Sequence, residues 1–94
     1  MITIEHLDDG KRGLFKAMEN GAEAGRLHYT WAGESKFTID HTEVDPAFSG
    51  KGIGKKLVME AVQMARKKKV KIVPICPFAH SLFEKLPEIQ DVLF

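Results

Sequence analysis

Val44-Asp45-Pro46-Ala47-Phe48-Ser49-Gly50-Lys51-Gly52-Ile53-Gly54-Lys55-Lys56-Leu57 is the stretch on which the fold of this chain turns. The residues leading into it, Lys36 to Val44, alternate apolar and polar side chains and predict a β-strand. Pro46 then turns the chain and glycines recur at every second position. Beyond them Ile53, Leu57, Ala61, Met64 and Ala65 repeat at helical spacing. Glycines let a backbone come close to a ligand and aim its N–H groups at it. A helix start adds unpaired amides and the positive end of a dipole. Strand, glycine loop and helix together describe an anion cradle of the kind that holds phosphate or pyrophosphate. The plainer alternative is a strand-to-helix turn that binds nothing.

The spacing narrows the choice of ligand. A dinucleotide fingerprint needs G-x-G-x-x-G, and Gly50-x-Gly52-x-Gly54 does not supply it. A P-loop needs four residues between its glycines followed by Gly-Lys-Ser/Thr, which is also missing. Ser49-Gly50-Lys51-Gly52-Ile53-Gly54 instead resembles the acyl-CoA loop of the GNAT acetyltransferases, Gln/Arg-x-x-Gly-x-Gly/Ala, with Ser49 in place of Gln or Arg. A second segment, Cys76-Pro77-Phe78-Ala79-His80-Ser81-Leu82-Phe83-Glu84-Lys85-Leu86, is similar to that family's Asn-x-x-Ala-x-x-Leu-Tyr-Glu-Lys-Leu pattern. Cys76 stands at its Asn position and Phe83 at its Tyr position. The short length points to a minimal, stand-alone branch of the family.

The resemblance implies an α/β (α+β) fold: a mixed, mostly antiparallel sheet, a central parallel βαβ unit with splayed strands, and two helices. It implies an acetyl-CoA-dependent N-acetyltransferase with an amine acceptor, and acetyl-CoA (or coenzyme A) as co-substrate without a metal. The backbone from Ser49 through Gly50, Lys51, Gly52, Ile53 and Gly54 to Lys55 would hold the pyrophosphate. The edge Thr42, Glu43, Val44 would pair with the pantetheine, and Cys76, Pro77 and Phe78 would border the thioester. Many members use the Tyr to protonate the departing thiolate, which Phe83 cannot do. A non-catalytic acyl-CoA-binding module is therefore the alternative function.

The remaining sequence fits one domain over residues 1–94. Ninety-four residues leave no room for a second core. A hydrophobic content of 44% with 29% charged residues is ordinary for a globular chain. A net charge of +1 gives no reason to expect nucleic acid or an anionic membrane as partner. No apolar run approaches the ~18 residues of a membrane span, and one cysteine cannot form an internal disulfide. These features predict a cytoplasmic monomer.

Five strands are expected: Met1 to Leu7, Gly13 to Glu19, Ala22 to Trp31, Lys36 to Val44, and a doubly buried Val70 to Ile75. Asn20-Gly21 marks a tight hairpin. Arg66 to Lys69 closes the long helix, where cations offset the dipole. A nucleic-acid role for Lys67 to Lys71 is the weaker reading of that run. A short helix from Phe78 to Leu86 ends at Pro87, and Ile89 to Phe94 can add a last strand. With only about five residues between the first two strands, the helices that usually wall the acceptor side are missing, so that side should be open.

Two residues stand out as candidate catalysts. Cys76 ends a strand just before a helix start, a position that lowers a thiol pKa. The alternative is a free cysteine that only packs. His41 continues the alternation Phe37, Ile39, His41 and is expected to face Cys76 and accept a proton from the thiol or the acceptor amine. Structural use as a rim histidine is the alternative. His80 and Glu43 are weaker candidates, and no His/Cys/Asp/Glu cluster has metal-ligand spacing.

Overall fold

The computed structural model describes residues 1–94. Strands β1 (Ile2–Asp8), β2 (Arg12–Glu19), β3 (Ala22–Trp31) and β4 (Lys36–Val44) run up and down as antiparallel neighbours. Helix α1 (Ile53–Lys68) crosses back to β5 (Lys71–Pro74), which lies parallel to β4. Helix α2 (Pro77–Lys85) and a 3₁₀ segment, Pro87–Val92, complete the chain. A 3₁₀ turn at Pro46–Phe48 separates β4 from the glycine loop.

Local chemistry explains the turns. Asn20 and Gly21 both take positive φ, 50° and 83°, as a two-residue hairpin demands. Lys69 adopts the left-handed conformation at the end of α1, and the Val70 N–H reaches back to the Ala65 carbonyl, closing the helix. Pro77 opens α2, where its missing N–H is not needed.

The core lies on one face of the sheet. Phe15, Leu27, Tyr29, Phe37 and Ile39 point inward and meet Leu57, Val58, Ala61 and Ala65 of α1 and Ala79 and Phe83 of α2. Burying a large side chain such as Phe37 or Leu57 contributes about 1.5–3 kcal/mol. The opposite face carries Arg12, Lys16, Arg26, His28, Thr30, Thr38 and Asp40, and no helix packs on it. The molecule is thus two layers, with one face of its sheet open.

Three expectations need correction. The parallel pair sits at the margin of the sheet, since the strand order is β1-β2-β3-β4-β5 and no full strand lies outside β5. The fifth strand is shorter than the apolar run, and Ile75 beyond it is 60% exposed. An edge strand has one flank and its ends uncovered, so an apolar run alone overstates burial. The tail forms a 3₁₀ turn and not a strand; only Leu93 bridges to Ile72, with the Phe94 N–H donating to the Ile72 carbonyl.

Candidate active site

Strands β4 and β5 pair from Lys36↔Lys71 to Ile39↔Pro74 and then part. The amides of Ile75 and Cys76 both donate to the Ile39 carbonyl, at 3.1 and 2.9 Å, and close the pairing there. Beyond that point the β4 backbone from Asp40 to Val44 has no strand on its β5 side. Five residues amount to about 16 Å of free strand edge. One end of this edge lies at Cys76 and the other runs through Pro46–Phe48 into the glycine loop.

The loop itself is left-handed at Gly50 (φ 82°) and Gly52 (φ 71°), and a Cβ at either would meet nothing within 4 Å. Both glycines are there for backbone conformation and for open space in front of it. The first helical bond runs from the Lys56 N–H to the Gly52 carbonyl at 3.1 Å, so the amides of Ile53, Gly54 and Lys55 have no intrahelical acceptor. Ser49 is extended, Lys55 is exposed with no acidic partner, and Ile53 is anchored in the core. Lys51 is held by Glu19 at 3.0 Å and lies over the Phe48 ring. Gly54 serves packing: a Cβ there would stand 2.7 Å from the Phe78 ring, which ties the starts of α1 and α2 together.

Cys76 precedes Pro77 at the start of α2 and is 5% exposed. Its Sγ donates to the Thr42 Oγ1 at 3.6 Å, across the gap between β4 and α2. Burial pushes the thiol up; the Ala79 and Phe78 amides of the open helix end and the Thr42 hydroxyl and amide outweigh it, holding the thiol below its ordinary value. The neutral thiol makes no capping bond. The amides act on the charged form.

His41 does not face Cys76. In β3–β4 His28 is opposite His41, whereas the next pair is Tyr29 with Ile39, so Asp40 has no partner and forms a β-bulge. Its carboxylate accepts from the hydroxyls of Thr30 and Thr38 at 2.6 and 2.7 Å, which pin the bulge from the open face. One extra residue swaps the faces of everything beyond it. Thr42 and Val44 therefore turn inward, while His41 and Glu43 are exposed on the open face beside His28. His80 is likewise turned to solvent, against Glu84 at 2.9 Å.

A sequence profile of the GCN5-related N-acetyl-transferase family matches residues 14–92. The chain belongs to the GCN5-related N-acetyltransferase family. It is 31% identical over 87 residues to the Xenopus tropicalis protein NATD1, covering 92% of this chain and 78% of that one. Among solved structures it is similar to a GCN5-like protein from Staphylococcus aureus, with 32% identity, a TM-score of 0.71, and 96% and 87% of the two chains covered. A GNAT acetyltransferase of Elizabethkingia anophelis with acetyl-CoA bound shares the fold at a TM-score of 0.68 and 20% identity, over 78% of this chain and 63% of that one. The family is one of acetyltransferases, and in this chain the parted strands and the glycine loop occupy one continuous strip of the molecule.

A second polar cluster escaped the sequence. Tyr29 lies buried across Gly13 and its hydroxyl donates to the Asp8 Oδ2 at 2.6 Å; the Trp31 Nε1 donates to the same oxygen at 2.9 Å. The hydroxyl proton is used on Asp8, so His6 must donate its Nε2 proton to the Tyr29 oxygen, 2.5 Å away. Its one signal in the sequence was Gly13, a glycine opening an otherwise regular strand.

Proposed function

We propose that this chain transfers an acetyl group from acetyl-CoA to an amine, with the cofactor lying along the free edge of β4. The single observation that supports this most is that edge: unpaired backbone from Asp40 to Val44, joined at one end to open loop amides and at the other to Cys76. The pyrophosphate would rest on the Gly50 to Lys55 amides, with Ser49 before them. The pantetheine would pair with Thr42, Glu43 and Val44 as an added strand. Pro77 and Phe78 would border the thioester.

In the direct route a neutral acceptor amine attacks the thioester carbon, a C–N bond forms and the C–S bond breaks. CoA leaves as thiolate and is protonated by solvent. The amine approaches from the uncovered face of the sheet, where its proton passes to His41 or through water to Glu43. In the covalent route the Cys76 thiolate attacks first, gives acetyl-Cys76 and free CoA, and the amine then takes the acetyl group. The depressed thiol pKa favours the second route, and intact-protein mass spectrometry after mixing with acetyl-CoA alone distinguishes the two. An acetyl adduct absent from Cys76→Ala identifies it; full activity in Cys76→Ala leaves direct attack.

Binding without turnover is the second reading, favoured by Phe83. It stands where a proton-donating Tyr is usual and is 1% exposed, inside the core. A failure of CoA thiol to be released from acetyl-CoA in the presence of amines would select it. The placement of the cofactor is tested with Gly52→Asp. Asp tolerates the left-handed conformation and projects a charge into the open space before the loop. Calorimetry should show CoA binding weakened roughly tenfold or more, about 1.4 kcal/mol, with Gly52→Asn weakened less. Undiminished affinity in a folded Gly52→Asp protein overturns the placement.

A further inference from the structure

The two margins of the sheet are treated differently. At β5 the tail supplies a partial cover through Leu93 and Phe94. At β1 there is none: its register with β2 runs unbroken from Ile2↔Glu19 to Asp8↔Gly13, and its outer side pairs with nothing. Folded proteins usually guard such an edge with proline, lysine or a bulge, and β1 has none of these; its acidic side chains are Glu5, on the open face opposite Lys16, and Asp8, held by Tyr29 and Trp31.

Beside the edge runs a groove. Helix α1 packs over β2, β3 and β4, so the inward side chains of β1 look past it. Ile2 and Ile4 are left only half-buried. Two adjoining hollows of about 460 and 490 Å³, sharing Ile4, Glu60 and Gln63, extend between β1 and α1. Their floor is apolar, from Ile4, Phe15, Met59 and Met64. Their rim carries Lys55 and Lys56 at one end and Lys67 and Lys68 at the other. None of these four ammonium groups has a carboxylate within 4.0 Å.

We propose that this groove receives an extended, acidic segment of another protein, which adds to β1 as a sixth strand. Main-chain bonds to the free edge supply affinity, apolar side chains at the middle inward positions fill the hollows, and carboxylates at the first and last inward positions meet the lysines at the two ends. A second copy of this chain fits poorly. Antiparallel β1–β1 pairing about a two-fold axis would bring Lys55 and Lys56 of one copy toward Lys67 and Lys68 of the other, with only Glu60 between them. Like charges so placed oppose the pairing.

The probe is the capped heptapeptide Glu-Thr-Val-Thr-Val-Thr-Glu, whose inward-facing alternate positions carry valine in the middle and glutamate at both ends, with a counterpart that has lysine in place of both glutamates. In an NMR titration of the full chain, the glutamate peptide should shift and protect the β1 amides, and rising salt should weaken it. The lysine peptide should leave them unmoved. The variant Lys56→Glu/Lys67→Glu/Lys68→Glu, exposed positions that leave the core intact, should bind about tenfold more weakly, at a factor of about two to three per exposed charge. Failure of the glutamate peptide to move β1, equal binding of both peptides, or undiminished binding by the triple variant each overturns the proposal. So does a dimer of the free protein in sedimentation that Glu60→Lys, a change of the one carboxylate between the lysine pairs, abolishes.

Discussion

The Tyr29 cluster, between β1 and β3, and the Cys76 cluster, between β4 and the start of α2, use polar groups in opposite ways. Around Tyr29 the phenol, the Asp8 carboxylate, the Trp31 indole and one nitrogen of His6 are joined in a closed set of short bonds. Around Cys76 the bonds run out: one long contact to Thr42, a strand edge with nothing on it, and helix-end amides aimed at a thiol. A satisfied network holds elements in place. An unsatisfied one has bonds still to make, and a cofactor can make them. Substitutions in the first cluster should therefore change stability and spare CoA binding, while those in the second should do the reverse.

The largest expected effect comes from Gly13→Val. Any Cβ at this position would enter the Tyr29 ring and crowd the Leu7 carbonyl. Two rigid obstacles leave little room to relax, so urea unfolding should show a loss of about 2–3 kcal/mol. CoA affinity of the folded fraction should stay within error. A loss of affinity matching the loss of stability would erase the distinction between the clusters.

Tyr29→Phe removes one hydroxyl and strands Asp8 and His6 without it. The expected loss is about 1–2 kcal/mol near neutral pH. Its pH dependence follows from Asp8. Burial acts to raise that carboxyl, but the bonds from Tyr29 and Trp31 hold it below its ordinary value. Stability from a depressed carboxyl is present above its unfolded pKa and fades as pH falls through the folded one. The gap between wild type and Tyr29→Phe should thus narrow on acidification, read from unfolding curves at a series of pH values. A gap that widens would mean Asp8 is not held by the phenol.

The smallest effect belongs to Thr42→Val, nearly isosteric and half-buried. It should leave stability almost unchanged and move the alkylation profile of Cys76 up toward the ordinary thiol range, because one of the groups favouring the thiolate is gone. Alkylation of Cys76 in the wild type should accordingly set in at lower pH than for a free thiol near ~8.5. A profile unaltered by the substitution would leave the backbone amides of α2 and of residue 42 as the cause.

Much of this protein was legible from local chemistry. Asn20-Gly21 fixes a hairpin because only such residues accept two successive positive φ angles. Gly50 and Gly52 mark the loop for the same reason, and the run from Lys36 to Ile75 imposes strand, crossover and parallel strand. What the sequence could not decide is which way a side chain faces once the period of two is interrupted. Phe37, Ile39 and His41 alternate without fault on paper, and only the pairing with β3 reveals that Asp40 is bulged out, sending His41 to the open face and bringing Thr42 to Cys76. Likewise Val70 to Ile75 reads as buried, yet its place at the margin leaves Ile75 in solvent. Conformation at a turn depends on the residues in it and is written there; register, bulges and strand order are set by partners distant in the chain, and exist only after the sheet has formed.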